Sequence, residues 1–287
     1  KRSRVGPAVT SAILFFMRDE FLKYVSAFLL LGMLIYVVVS AFTDKAVLLE
    51  PFRVPPKLIE TGYDGRAIAF AIIDQMNLIR TNAITQSNQN YIPTTEQIDV
   101  VVGGISLSSV KALIKEISGM KNVRITGEIS FGLDGNWSVS TRFDGLSSQP
   151  LRHSSAEIEN ILRNIAIYVL WHIEPVTVAV YQHNQNDSGV MKSIRDIVRN
   201  KSLSPEQQSS AYNLWGLRLS RQGQYQEAIR QYENAAKKDP KGAYVYMNWG
   251  NALLLWAKST GDSDRLNKAA QMFEKAARMK PDLAANY

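Results

Sequence analysis

The chain has 287 residues, of which 46% are apolar, with a formal net charge of +7 and no cysteine. That much apolar residue in that length is enough for two or three packed units. The missing cysteines exclude disulfides, thiol catalysis, iron–sulfur clusters and cysteine-based zinc sites, so packing alone must hold the fold.

Charge is spread unevenly, at +3 over residues 1–43, −1 over 44–150 and +5 over 151–287. Within the first stretch, Tyr24 to Phe42 reads YVSAFLLLGMLIYVVVSAF, without a charge. As a helix it would rise about 28 Å, which matches the hydrocarbon thickness of a bilayer. Lys1, Arg2, Arg4, Arg18 and Lys23 precede it, against Lys45, Arg53 and Lys57 after it. The positive-inside bias therefore places the N-terminus in the cytoplasm. The sequence predicts a basic arm over 1–23 and a single transmembrane helix over 24–43 in the lipid bilayer. The soluble domains then lie on the opposite side, which in a bacterium is the periplasm. Val5 to Met17 is also apolar and could form a short helix at the headgroup surface.

Residues 44–150 read as a small α/β domain. Pro51 and Pro55-Pro56 mark a linker, because proline lacks an amide donor and fixes φ. Ile68, Ala71, Ile72, Met76 and Ile79 have the three-and-four spacing of a helix over 67–84. QSNQNYIPTT follows as a polar loop. Ile98 to Val102 is a β-branched run ended by Gly103-Gly104, and Ser108 to Ile117 is predicted as a short helix closed by Gly119. Val123, Ile125, Ile129 and Phe131 alternate with polar residues, Asp134-Gly135-Asn136 supplies a turn, and Trp137, Val139, Thr141 and Phe143 alternate on the way back. That pattern predicts a β-hairpin.

Two motifs in this region suggest chemistry, and each has a simpler explanation. Gly103-Gly104 after a strand resembles a phosphate cradle, but no Lys-Ser/Thr pair follows it. Ser108 to Lys111 and Ser118 to Lys121 both fit Ser-x-x-Lys, yet helix capping explains such serines and no companion acylase motif is present. His153, His172 and His183 show no metal-ligand spacing. The sequence therefore predicts no catalytic residue, no cofactor and no metal. Basic residues interspersed with acids argue against nucleic acid as a partner.

Residues 151–287 are predicted to be helical, starting with Ser155 to Trp171, Val176 to His183 and Val190 to Asn200. A repeat comes next. YNLWG at 212–216 recurs as YMNWG at 246–250, aligning Tyr212 with Tyr246, Trp215 with Trp249, Gly216 with Gly250 and Leu219 with Leu253 at an interval of thirty-four. Ala228, Tyr232, Ala235 and Pro240 follow the first copy; Ala269, Phe273, Ala276 and Pro281 follow the second. The second set is displaced by seven more residues, which are expected to lengthen a turn at Ala257 to Lys268. Tyr287 falls in the register of Tyr212 and Tyr246, so a third unit or another subunit is expected to cover this end.

These residues resemble the tetratricopeptide repeat family, whose unit is a helix–turn–helix, over 209–287, with units at 209–240 and 243–281. The resemblance implies small residues at the helix crossing (Gly216, Gly250, Ala228, Ala269), aromatics filling the gap to the next helix (Tyr232, Phe273) and prolines ending the second helix. Val176 to His183 and Val190 to Asn200 would form a leading repeat without the motif. It also implies an inner groove lined by Asn213, Leu217, Arg221, Tyr244, Met247 and Asn251, facing protein partners. Lysines are missing from that set, which argues against capture of a peptide carboxylate.

The whole chain is thus expected to be an α+β multi-domain protein with a single transmembrane helix, a small α/β sheet domain and a C-terminal α-helical solenoid. The function expected is a membrane-anchored scaffold or adaptor that binds protein partners. A ring-forming subunit of an envelope complex, homo- or hetero-oligomeric, and a membrane-tethered enzyme are the alternatives.

Overall fold

The computed structural model describes residues 22–39, 46–85, 99–102, 113–114, 118, 123–144 and 151–281. The Gly103-Gly104 and Ser108 to Lys111 motifs, the segment from Val5 to Met17 and Tyr287 lie outside them. By internal contacts the chain divides into two compact units, one of residues 1–50, 99–126 and 143–148, the other of residues 51–98, 127–142 and 149–287. This division runs across the 150/151 boundary expected from sequence.

The first unit contains helix α1, Leu22–Val39. Its mean hydropathy is 2.2 and only 6% of it is buried, so it is not a core helix. It is long and apolar enough to cross a membrane, a property it shares with signal sequences. Ser40 to Phe42, the end of the expected span, lie outside the described residues. In the same unit β1 (Ala46–Leu49) pairs in parallel with β2 (Asp99–Val102), in the register Val47 to Val100. On its other side β1 pairs in parallel with the start of β3 (Val123–Phe131), Val47 opposite Val123.

The second unit contains the rest of the hairpin. β4 (Trp137–Asp144) returns beside β3 through a turn in which Gly132 N–H donates to Asn136 O, with Gly135 at φ 79°. β5 (Leu151–Ser155) closes the edge antiparallel to β4, giving the strand order β2-β1-β3-β4-β5. The proline-containing stretch expected to be a linker is tied down. Arg53 N–H donates to Gly127 O and Ile129 N–H donates to Arg53 O, while Phe52 is buried against Gly127. Pro56 begins the short helix α2 (Pro56–Glu60), since at a first helical position its missing N–H costs nothing.

Helix α3 (Gly65–Thr85) follows, buried through Ile68, Ile72, Met76, Ile79 and Ala83 on one stripe. Among the described residues seven more helices follow in the unit: α4 (Ile158–Ile173), α5 (Pro175–Asn184), α6 (Val190–Arg199), α7 (Pro205–Arg221), α8 (Tyr225–Lys238), α9 (Ala243–Thr260) and α10 (Ser263–Met279). Their contacts follow a single rule. Taken as pairs α3/α4, α5/α6, α7/α8 and α9/α10, each first helix packs on its own second helix and on the next first helix, and each second helix packs on the next first helix. That is the nearest-neighbour pattern of a helical solenoid. The opening helix of the row, α3, is supplied from before the hairpin, so β2 to β5 are inserted within the first pair. The solenoid packing thus takes in α3/α4 and α5/α6 as well as the two motif-bearing pairs.

Candidate partner-binding surface

The two motif-bearing pairs close through the same contact. A β-carbon built on Gly216 would lie 2.7 Å from Tyr232 Cε1, and one on Gly250 would lie 2.6 Å from Phe273 Cε1. Only glycine lets an aromatic ring of the second helix come this close to the first. Ala228, Ala235, Ala269 and Ala276 are buried beside those rings, and Ser209 Oγ donates to Ala235 O across α7/α8. Helix α7 starts on a capping box, Ser204 with Gln207, followed by Pro205. Burial raises the Tyr232 phenol well above its usual range.

The seven extra residues of the second unit do not lengthen its turn. The counterpart of Arg221, where α7 ends, is Leu255, but α9 continues to Thr260; the counterpart of Tyr225 is Leu266, but α10 already begins at Ser263. The turn stays short because Gly261 takes φ 71° and Asp262 accepts from the Asp264 and Arg265 amides. The result is a taller hairpin. Its tip is held by Arg265, which sits 4.0 Å over the Trp256 ring, and by Tyr225, stacked 6.3 Å from Trp256.

Successive first helices are joined by polar contacts that are buried or partly buried. Arg80 of α3 donates to Glu174 at 2.5 and 3.2 Å, and Glu174 lies between α4 and α5 with 1% of its side chain exposed. Asn184 of α5 donates to Asn82 O. Between α5 and α7, Arg221 Nη1 approaches His183 Nε2 at 2.9 Å. Arginine can only donate, so Nε2 accepts and His183 is neutral with its proton on Nδ1. Burial lowers the His183 pKa to about 4, with the charges of Arg221 and Arg218 adding to the shift. Between α7 and α9, Asn248 Nδ2 donates to Asn213 Oδ1 at 3.0 Å.

The helix packing sets which of the six expected groove residues are buried and which are accessible. Asn213 is 0% exposed and bonded to Asn248. Leu217 is buried in a cluster with Val176, Val180 and Ile194, and Met247 in one with Tyr246 and Ala276. Asn213 and Leu217 are closed because adjacent first helices pack directly on one another there, and Met247 is closed by the packing of its own pair, α9 on α10. Arg221 is exposed, and Tyr244 and Asn251 are half-buried, so these three stay accessible. The Tyr244 hydroxyl accepts from Lys280 Nζ at 2.7 Å. Leu255, 48% exposed, is a further accessible residue of the first helices that the sequence reading does not include. Its signal was available, since it stands thirty-four positions after Arg221 in the repeat register.

Among the described residues no group of three or more histidines, aspartates and glutamates could hold a metal. One open cleft of about 290 Å³ lies among α4, α5 and α6. A family model described as TPR repeat matches residues 216–255. No curated protein and no solved structure matches the chain. TPR repeats generally serve protein–protein interaction and scaffolding, and the match supports the TPR repeat family for the segment 216–255.

Proposed function

We propose that the protein is a membrane-anchored scaffold, attached through α1, that holds protein partners on the outer edge of its helical row. The observation that carries this reading is the four-pair stack itself. It leaves Arg221 and Leu255 exposed and Tyr244 and Asn251 half-buried along successive first helices, while Asn213, Leu217 and Met247 are closed. A mixed cationic, aromatic and aliphatic strip of this kind suits a polypeptide partner, because aromatic, arginine and apolar groups carry most interface energy. The apolar, nearly unburied α1 supports the anchor.

The test is affinity capture with the full chain in detergent. The expected result is a defined set of co-purifying proteins that is lost when Arg221→Glu and Leu255→Glu are combined and the fold is intact by circular dichroism. An unchanged set of captured proteins overturns the assignment. For the anchor, carbonate extraction of membranes should leave the chain in the pellet; release into the supernatant overturns it.

A further inference from the structure

The helices that carry no family match hold a second candidate site. Asn164, Ile167, Tyr168 and Trp171 follow the three-and-four spacing of one α4 face, and with Val178 and Gln182 of α5 and Ser193 of α6 they line the open cleft of about 290 Å³. That volume is at the lower limit of small-molecule pockets, about 300 to 1,000 Å³, so it fits one ring-sized group and not a whole cofactor.

Its chemistry is specific. No charged side chain lines it, so a charged ligand would lose its hydration without gaining a counter-charge. The polar groups are amides and a hydroxyl already set in place. Ser193 Oγ donates to Gln182 Oε1 at 2.6 Å, which fixes that amide and leaves its NH₂ as a donor. Asn164 lies a turn from Tyr168, and its amide offers both a donor and an acceptor. The Tyr168 ring is held against the His172 ring at 4.5 Å between centroids, and His172 Nδ1 is bonded to Tyr168 O at 2.8 Å.

We infer that this cleft receives an uncharged aromatic side chain of a bound polypeptide, with the ring against Trp171 and Tyr168 and the adjoining backbone amide between Asn164 and Gln182. Two neutral amides match the donor and acceptor of a peptide group, whereas a free hydrocarbon ring would leave them unpaired at a cost. The inference rests on the reading that the helical row binds polypeptide. It adds a second, chemically defined anchor on helices outside the matched family segment.

The test uses the full chain in detergent and saturation-transfer NMR with N-acetyl-L-tyrosinamide. Saturable binding is expected, weakened about tenfold or more by Trp171→Ala, and by a comparable factor when N-acetyl-L-tyrosine, which carries a carboxylate, replaces the amide. Because Trp171 also packs on the core, Asn164→Ala is the second variant; it should weaken the tyrosinamide and leave p-cresol unchanged. No saturable tyrosinamide binding, or equal binding by Trp171→Ala and the parent chain, overturns the site. Equal affinity for p-cresol and the tyrosinamide overturns the polypeptide assignment in favour of a free small ring. Failure of the tyrosinamide while protein capture persists removes the cleft alone; loss of all captured protein removes the reading beneath it.

Discussion

The ring of Tyr232 occupies the space where a side chain at Gly216 would stand, with 2.7 Å between a built β-carbon and Tyr232 Cε1. Phe273 stands in the same relation to Gly250 at 2.6 Å. Helix propensity alone would make glycine-to-alanine favourable by about 1 kcal/mol in a helix interior. Tyr232 is fully buried and cannot swing away, so overpacking outweighs propensity at Gly216, whereas the half-buried Phe273 ring can yield in part. Gly216→Ala should destabilise the protein by about 1 to 3 kcal/mol and Gly250→Ala by less, read from chemical denaturation. A gain in stability would show that the helices can part at the crossing.

The second prediction concerns the pair that ties α3 to the C-terminal helices. Arg80 and Glu174 are both largely buried and bonded to each other, and Thr177 Oγ1 also donates to Glu174. Removing one partner leaves an uncompensated buried charge, so Glu174→Ala should cost about 3 to 5 kcal/mol. Replacing both by apolar residues, Arg80→Met with Glu174→Leu, should cost clearly less than Glu174→Ala alone, because no charge is left unpaired. Additive losses in that double-mutant cycle would mean the two groups act independently.

This pair also shows what the sequence could and could not reveal. The hairpin from Val123 to Phe143 was legible because alternation is a local, period-two signal. The repeat at 212–250 was legible because Tyr, Trp and Gly recur in register. The membership of α3 in the helical row was hidden, since its amphipathic stripe says that it is buried without saying against what. Its partners, α4 and α5, come more than seventy residues later, after the inserted strands. β5 was hidden because LRHSS has no alternating apolar residues and runs directly into the predicted helix. Half of the expected groove positions are buried for a related reason. Register places Asn213, Leu217 and Met247 on the first helices, but only the packing of the helices around them decides whether such positions line a channel or a contact.

The third prediction follows from α3. A fragment of residues 151–287 lacks the helix that covers α4 and α5, so it should expose their apolar faces and lose cooperative unfolding in its first two helices. Hydrogen exchange should show α4 and α5 unprotected in that fragment, with α7 to α10 keeping more of their protection. Full protection throughout would show that the C-terminal helices fold without α3.

His183 gives the fourth. Its folded pKa is about 4, lowered from 6.5, so between those values the unfolded chain binds more protons than the folded one. Stability is therefore complete above about pH 6.5 and falls as pH drops toward 4, by up to about 1.4 kcal/mol per pH unit from this residue. Carboxylates can add a slope of the same sign, so the measurement is a difference. His183→Gln removes the titrating group while keeping an acceptor for Arg221. The stability of the parent chain minus that of the variant should decline from pH 7 to pH 4.5; a difference that stays flat would mean that His183 is reached by water and titrates normally.

The last prediction concerns Leu255, which is 48% exposed near the end of α9 where the repeat register places Arg221 in the preceding pair. An exposed leucine gives little to folding, and Leu255→Glu should change the unfolding midpoint by no more than the about 0.5 kcal/mol typical of surface sites. If the edge formed with Arg221, Tyr244 and Asn251 receives a partner, the same change places an unpaired carboxylate in a desolvating interface and should weaken capture about tenfold or more. Leu255→Met keeps the apolar surface and should restore it. Capture that falls with Leu255→Glu and returns with Leu255→Met separates a binding edge from a solvated helix face, on which both substitutions would be silent.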